Sequence, residues 1–221
     1  MDISLKIIIA IILAYLIGSI PASIWIGRRF YGVDIRTAGS GNAGATNTIR
    51  VLGAKIGLAV LAIDVAKGWF AVHLSSLFSL EQLNPEQLSP GQLSSEQFIG
   101  FQILLGIAAI IGHIFPVYIK FKGGKGVATT VGVGIGLFPY SVLITAIVFI
   151  AVFFLSKRVS LASIISAVIF PFVVFFNPNI DSPSLIIISI AIGVFIPIMH
   201  HKNIKRLLKG EEPKFKLKKK E

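Results

Sequence analysis

The chain has 221 residues, of which 54% are hydrophobic and only 14% charged, and its formal net charge is +11. The apolar residues lie in unbroken runs, not in the alternating patterns of a water-soluble domain, so the composition points to an integral membrane protein. The basic residues border those runs, where acidic lipid headgroups account for them, and nucleic-acid binding is not needed to explain the charge. With no cysteine, disulfides and thiolate metal sites are excluded.

About 20 apolar residues are needed to cross the hydrocarbon as a helix. The first candidate span covers residues 7–27; it has no basic leader and no small-residue cleavage site before Pro21, and reads as a retained span. Next comes RTAGSGNAGATNTIR, residues 36–50. Its Gly39, Gly41 and Gly44 satisfy G-x-G-x-x-G, but a dinucleotide site requires a preceding strand and this loop follows a membrane helix. The glycines instead let the backbone curl and offer N–H groups to an anion. Ser40, Asn42, Thr46 and Asn47 add side-chain hydrogen bonds, and Arg50 adds a fork that fits phosphate. A tight interhelical turn leading into a capped helix would explain the same composition.

The second span, 56–80, carries Asp64 and Lys67 one turn apart near its middle, where unpaired charge is costly; a structural ion pair is expected. Residues 80–97, LEQLNPEQLSPGQLSSEQ, repeat a five-residue polar unit and read, with residue 79, as an external loop without chemistry. The third span, 98–119, contains His113, which has no second histidine or carboxylate at ligand spacing and reads as a packing residue, so no metal site is predicted.

FKGGKGVATT follows at 121–130. Gly123, Gly124, Lys125 and Gly126 resemble part of a phosphate loop, but Gly126 stands where Ser or Thr is required and Ile119 where Gly is required, which removes nucleotide hydrolysis. What remains is a lysine among backbone N–H groups at the start of a helix, an anion-binding composition that Thr129 extends into the first turn. For Lys120 and Lys122 ordinary border charge is the expectation.

The uncharged run 126–156 is too long for one span and is expected to break around Phe138-Pro139-Tyr140, because Pro139 lacks a backbone donor. Spans at 161–176 and 184–199 complete seven. Seven spans put Arg28, Arg29, Arg36, Arg50, Lys55, Lys120, Lys122, Lys125, Lys157, Arg158 and the basic tail on one side, leaving only Lys6 and Lys67 elsewhere; six would move Lys157, Arg158 and the tail across. The fold expected is therefore all-α, a single transmembrane domain over 1–221, with the N-terminus outside and residues 200–221 a cytoplasmic basic tail. In that tail His200 and Asn203 share a helix face, and Glu212, beyond Gly210, is placed to fold back. A membrane-surface amphipathic helix explains Ile204, Leu207 and Leu208 beside Lys205, Arg206 and Lys209 equally well.

Taken together, GSGNAGATN with Arg50, GHIFPVYIKFKGGKGVAT, and H-x-x-N-I-x-R-L-x-x-G-x-E from His200 to Glu212 resemble the bacterial acyl-phosphate:glycerol-3-phosphate acyltransferases of the PlsY type, in order and spacing. The resemblance implies a seven-helix enzyme of the bacterial inner membrane whose motifs meet at the cytoplasmic face. Such an enzyme transfers a fatty acyl group from acyl phosphate to the 1-hydroxyl of sn-glycerol 3-phosphate, giving lysophosphatidic acid and phosphate, the first acylation of phospholipid synthesis. It implies catalytic roles for Ser40, Arg50, Lys125, Ser163, His200 and Asn203. Gly41, Asn42, Gly44, Asn47, Gly123, Gly124, Gly126, Thr129 and Glu212 are the expected substrate- or phosphate-binding residues. No cofactor and no metal is expected; the partners are the two substrates and membrane lipids, with no nucleic acid, and a monomer is the simplest expectation. His201 stands where the family often has Arg, and the polar outer loop is longer than the family's. None of the four histidines has Asp five residues on, where Phe78, Tyr118, Lys205 and Arg206 stand instead, so the H-x-x-x-x-D mechanism of other glycerol-phosphate acyltransferases is excluded. A transporter for an organic phosphate is the alternative, disfavoured because the polar motifs collect on one face and no internal repeat is visible.

Overall fold

The computed structural model describes residues 3–78 and 93–215. All of their longer elements are helices: α1 (Ile3–Gly18), α2 (Ala22–Tyr31), α3 (Ala45–Leu52), α4 (Ala54–Leu77), α5 (Ser95–Ile114), α6 (Val127–Leu137), α7 (Pro139–Ser156), α8 (Val159–Phe175), α9 (Pro183–Met199) and α10 (His201–Leu208). Short 3₁₀ turns lie at Ile35–Thr37 and Val117–Ile119. Most of the polar outer loop lies outside the described residues.

Three stretches, Ala54–Leu77, Ser95–Ile119 and Pro139–Ser156, are long and apolar enough to cross a membrane. α1 with α2, and α9 with α10, pass the same test as pairs bent by 42° and 62°, while α6 and α8 are apolar but shorter. The expected break at Phe138 is present, with Pro139 opening α7, where a missing N–H costs nothing. The expected continuous helix over 7–27 is not; it stops at Gly18 and restarts at Ala22. Pro21 cannot donate to a carbonyl four residues back, so the helix breaks there although the apolar run continues.

The chain divides into two compact units. The first, Met1–Pro21 and Ile63–Leu137, packs α1 against α5 around Ala10, Ala14, Ala71, Leu105, Ala108 and Ala109. Small side chains let these backbones approach closely, the usual basis of helix association where lipid removes the hydrophobic drive. Its α4 and α6 also approach closely: a Cβ on Gly68 would collide with the carbonyl of Thr129, and one on Gly132 with that of Val65. The second unit, Ala22–Ala62 and Phe138–Glu221, packs α7, α8 and α9 in sequence, with Phe138 edge-on to Phe170 at 5.3 Å between ring centres. Along α7 almost nothing is buried, and Leu143, Ile147, Phe154 and Leu155 are more than 60% exposed. A surface this apolar is suited to lipid.

Candidate active site

Two of the three polar motifs belong to the second unit and one to the first. In the 36–50 loop the organising side chain is Asn47, buried on α3. Its Nδ2 donates to the carbonyls of Ile35 (2.9 Å) and Ala38 (3.0 Å), and its Oδ1 accepts the N–H of Ser40 at 2.7 Å. One amide thus ties three backbone groups of the loop together: it is the partner of the Ser40 N–H and a second donor to the carbonyls of Ile35 and Ala38, which also accept the N–H groups of Ala38 (3.4 Å) and Gly41 (3.1 Å). Gly39 and Gly41 have φ of +61° and +72°, the left-handed region that turns the chain around Asn47. Gly44 caps α3 through its backbone alone, leaving the Asn42 side chain uncommitted to the cap. Outside, Asp34 accepts from Arg36 through its backbone N–H (3.0 Å), Nε (3.1 Å) and Nη2 (2.8 Å), and from Arg28 at 2.7 Å. The Arg36 hydrogen bonds hold the Asp34 carboxyl well below the usual carboxylate range, against a smaller upward push from burial, and Arg28 adds to the lowering. The Ser40 side chain is exposed, and Arg50, in the last turn of α3, forms no hydrogen bond or ion pair among the described residues. A guanidinium in that state suits a phosphate ligand.

In the first unit, α5 ends at Ile114 and the chain doubles back. Lys120 and Phe121 both adopt left-handed backbone (φ +57° and +58°). This reversal brings the N–H of Gly123 to the carbonyl of Ile114 (3.0 Å) and that of Gly124 to the carbonyl of His113 (3.1 Å). Those two N–H groups are therefore occupied by the end of α5. The motif offers an anion Lys125 itself and the N–H groups of Val127, Ala128 and Thr129, which have no acceptor within α6. Thr129 is fully buried and its hydroxyl has no hydrogen-bond partner among the described residues, while the Thr130 hydroxyl donates to the Gly126 carbonyl at 2.9 Å. The ion pair expected on α4 is present: Lys67 Nζ lies 2.8 Å from Asp64 Oδ1 and donates to the Ile20 carbonyl at 3.0 Å. His113 Nδ1 approaches the same carboxylate at 3.5 Å.

The third motif folds back as its sequence suggests. Glu212 is buried, and its Oε1 accepts from Ser160 Oγ (2.6 Å) and Asn203 Nδ2 (2.7 Å), its Oε2 from Arg206 Nε (2.7 Å). Arg158 Nε donates to the Glu212 carbonyl at 3.1 Å, and the N–H of Phe215 donates to the carbonyl of Lys157. Burial pushes the Glu212 carboxyl up, but the donors Ser160, Arg206 and Asn203 together outweigh it and hold the group below its ordinary value. His200, at the bend between α9 and α10, is buried with Nδ1 2.8 Å from the Ile196 carbonyl. A carbonyl only accepts, so Nδ1 carries a proton, and in the neutral form of the ring the lone pair lies on Nε2. Ser163 donates to the Val159 carbonyl at 3.0 Å one turn back, leaving its oxygen lone pairs as its offer to a ligand. Ser160, Arg158 and Arg206 escape the sequence reading. Ser160 shares a face with Ser163, but its carboxylate partner lies 52 residues on, beyond the reach of local spacing.

A family profile described as glycerol-3-phosphate acyltransferase matches residues 8–210. The chain belongs to the glycerol-3-phosphate acyltransferase family. It is 45% identical over 206 residues to the glycerol-3-phosphate acyltransferase of Fusobacterium nucleatum, covering 93% of this chain and 96% of that one. To the Enterococcus faecalis protein of the same name it is 40% identical, covering 94% and 91%. The glycerol 3-phosphate form of PlsY (YgiH), described as an integral membrane glycerol 3-phosphate acyltransferase, superposes with a TM-score of 0.79 at 34% identity, covering 95% of this chain and 96% of that chain. The form with lysophosphatidic acid gives 0.76 at 33% identity, with 95% of each chain covered. With its apolar helices, this chain is a membrane protein of the acyltransferase family.

Proposed function

We propose that the chain acylates the 1-hydroxyl of sn-glycerol 3-phosphate from a long-chain acyl phosphate, forming 1-acylglycerol 3-phosphate (lysophosphatidic acid) and inorganic phosphate. The observation that carries this reading is full-length similarity to proteins named for the glycerol 3-phosphate reaction, joined to a cationic and glycine-rich residue set suited to phosphate. In the reaction the hydroxyl oxygen attacks the acyl carbon, the bond to the phosphate oxygen breaks, and phosphate leaves with the electron pair. The donor is already activated, so the protein's part is alignment and neutralisation of developing negative charge.

Arg50 and Lys125 supply the positive charge, with Gly41, Asn42, Gly44, Gly123, Gly124, Gly126 and Thr129 shaping or lining the phosphate sites. Ser40 and Ser163 offer hydroxyl groups, Asn203 sits between Glu212 and the substrate, and Asn47 sets the loop that carries Ser40. The attacking proton goes either to His200 Nε2 or to a phosphate oxygen of the donor; the second is our reading. Seven apolar segments cross a bacterial inner membrane, with the N-terminus outside and the three motifs and C-terminus in the cytoplasm, the side where the basic residues collect. The enzyme acts as a monomer with no metal or cofactor.

Purified protein in lipid, given acyl phosphate and glycerol 3-phosphate, is expected to release phosphate and lysophosphatidic acid, and to give no product from acyl-CoA or acyl-carrier protein. Lys125→Ala is expected to remove the product, and His200→Gln to lower the rate without removing it. Complete loss in His200→Gln with intact substrate binding would assign the base to the histidine, and product from a thioester donor would overturn the donor assignment.

A further inference from the structure

Both ends of the loop that carries Lys125 are held by one short stretch of α4. At the α5 end, Asp64 stands 3.5 Å from the His113 ring, and the carbonyls of His113 and Ile114 take the N–H groups of Gly124 and Gly123. There is no slack at that contact, because a Cβ on Gly123 would meet the His113 carbonyl oxygen. At the α6 end, Gly68 gives the Thr129 carbonyl room to sit against the α4 backbone, four residues beyond Lys125. Between them Lys67 neutralises Asp64 at 2.8 Å and reaches the Ile20 carbonyl, at the break that ends α1. All of these groups lie in the first unit. Asp64 and Lys67 are almost fully buried, and a charge removed from water in this way is retained only where its partners are fixed.

We infer that Asp64, Lys67, Gly68 and His113 are positioning residues for Lys125, acting by clamping both ends of the 115–126 loop to α4. The clamp rests on the reading above, that Lys125 meets a substrate phosphate. Asp64 packs against the ring of His113, whose Nδ1 lies 3.5 Å away and forms no hydrogen bond among the described residues, and so limits the last turn of α5 by contact. That turn supplies the two carbonyls on which the glycines hang. Gly68 fixes where α6 begins. Lysine reach is long and flexible, so the direction it takes depends on the backbone on either side.

The test uses the full chain in lipid and two variants: His113→Asn, which shortens the side chain that meets Asp64, and the double variant Asp64→Asn with Lys67→Gln, which leaves no lone buried charge if a single change prevents folding. Amide hydrogen exchange is read for peptides covering 120–128 and, as internal references, for α8 and for α10. Exchange at Gly123 and Gly124 is expected to rise about tenfold or more while the references hold, the mark of local opening. In steady-state assays KM for one of the two substrates is expected to rise several-fold while the other is unchanged; a merely structural role would lower the melting temperature and kcat and leave both KM values alone. Wild-type exchange at 123–124 in a folded variant overturns the clamp. Faster exchange there, with Lys125→Ala as active as wild type, leaves the clamp standing as a structural fact and overturns the reading of Lys125 on which its function rests.

Discussion

The 36–50 loop and the 121–126 loop both join glycines to basic residues, yet they are built in opposite ways. The first closes around a side chain: Asn47 enters from α3 and takes three backbone groups of residues 35–40. The second closes through its backbone, its glycine N–H groups docking on the last carbonyls of α5. Glycine accordingly does different work in each. At Gly41 it supplies left-handed backbone and at Gly39 both that and room for the Asn47 side chain, whereas Gly123, with an ordinary φ, supplies only the absence of a Cβ. A glycine-rich loop is thus not one device, and substitutions separate the two kinds.

The largest effect is expected at Asn47. Asn47→Ala leaves the Ser40 N–H without its partner, at about 1–3 kcal/mol before relaxation, and takes from the Ile35 and Ala38 carbonyls one of their two donors. The 35–40 turn should lose its shape, and kcat/KM should fall about a hundredfold, equivalent to ~2.7 kcal/mol. Asn47→Asp keeps the acceptor for Ser40 and loses both donors, so it should fall nearly as far. Exchange at the Ser40 amide checks the cause; unchanged exchange with lost activity would mean that Asn47 touches substrate instead.

Next comes the pair that contrasts the two glycines. Gly123→Ala forces a methyl group into the His113 carbonyl, a backbone atom that cannot swing aside, for a cost of about 1–3 kcal/mol. A methyl group on Gly41 would sit 3.4 Å from the Arg36 carbonyl, ordinary contact, so Gly41→Ala is left with the left-handed penalty of about 1–2 kcal/mol. Asparagine tolerates that conformation and alanine does not. Gly41→Asn should therefore recover stability relative to Gly41→Ala, while Gly123→Asn should be no better than Gly123→Ala. Thermal unfolding of the four variants decides it, and equal recovery at both positions would remove the distinction.

These contrasts also mark what is legible in the sequence. The break at Phe138 is readable because Pro139 interrupts a run too long for one span, and the Asp64–Lys67 pair because its spacing is one helical turn. The break at Ser19-Ile20-Pro21 is harder: apolar residues continue through Ile24 and Ile26, and hydrophobicity masks the proline. In the loops, composition identifies hydrogen-bonding residues without saying which way they face. Asn47 and Ser40 look alike in the sequence, yet one is buried against its own loop and the other exposed. The cluster of Ser160, Asn203, Arg206 and Glu212 is closed by tertiary folding, so Asn203, Arg206 and Glu212 stand in one motif in advance, but only Asn203 and Glu212 are singled out from it and Ser160 is not tied to them.

Glu212 ranks third. Its folded-state acidity is raised by its donors, so the stability it contributes is fully present above its unfolded value of about 4.5 and is lost as pH falls through the lower folded value. Glu212→Gln should cost about 1–2 kcal/mol at neutral pH through the weakened charged hydrogen bonds. The gap between variant and wild-type melting temperatures should then close on acidification below that value. A gap that stays constant with pH would show that the carboxylate's charge is irrelevant and only its shape matters.

The smallest effect is expected at Asp34, the outer brace of the first loop. Its carboxylate holds Arg28, which is more than half exposed, and Arg36, which is partly exposed, so the pairs are screened by water and salt. Asp34→Asn should cost no more than about 1 kcal/mol. In about 0.5 M salt the difference should shrink further, as the screening length falls below the reach of surface pairs. The acidity of Asp34 is raised in the same sense as that of Glu212, so wild type should keep this contribution at every pH above the ordinary carboxylate value. Because Asn47 holds residues 35–40 from inside, loss of the outer brace should leave Ser40 amide exchange unchanged. If Asp34→Asn instead exposes that amide as fully as Asn47→Ala does, the loop is held from its rim, and the two glycine-rich loops differ less in construction than their hydrogen bonds indicate.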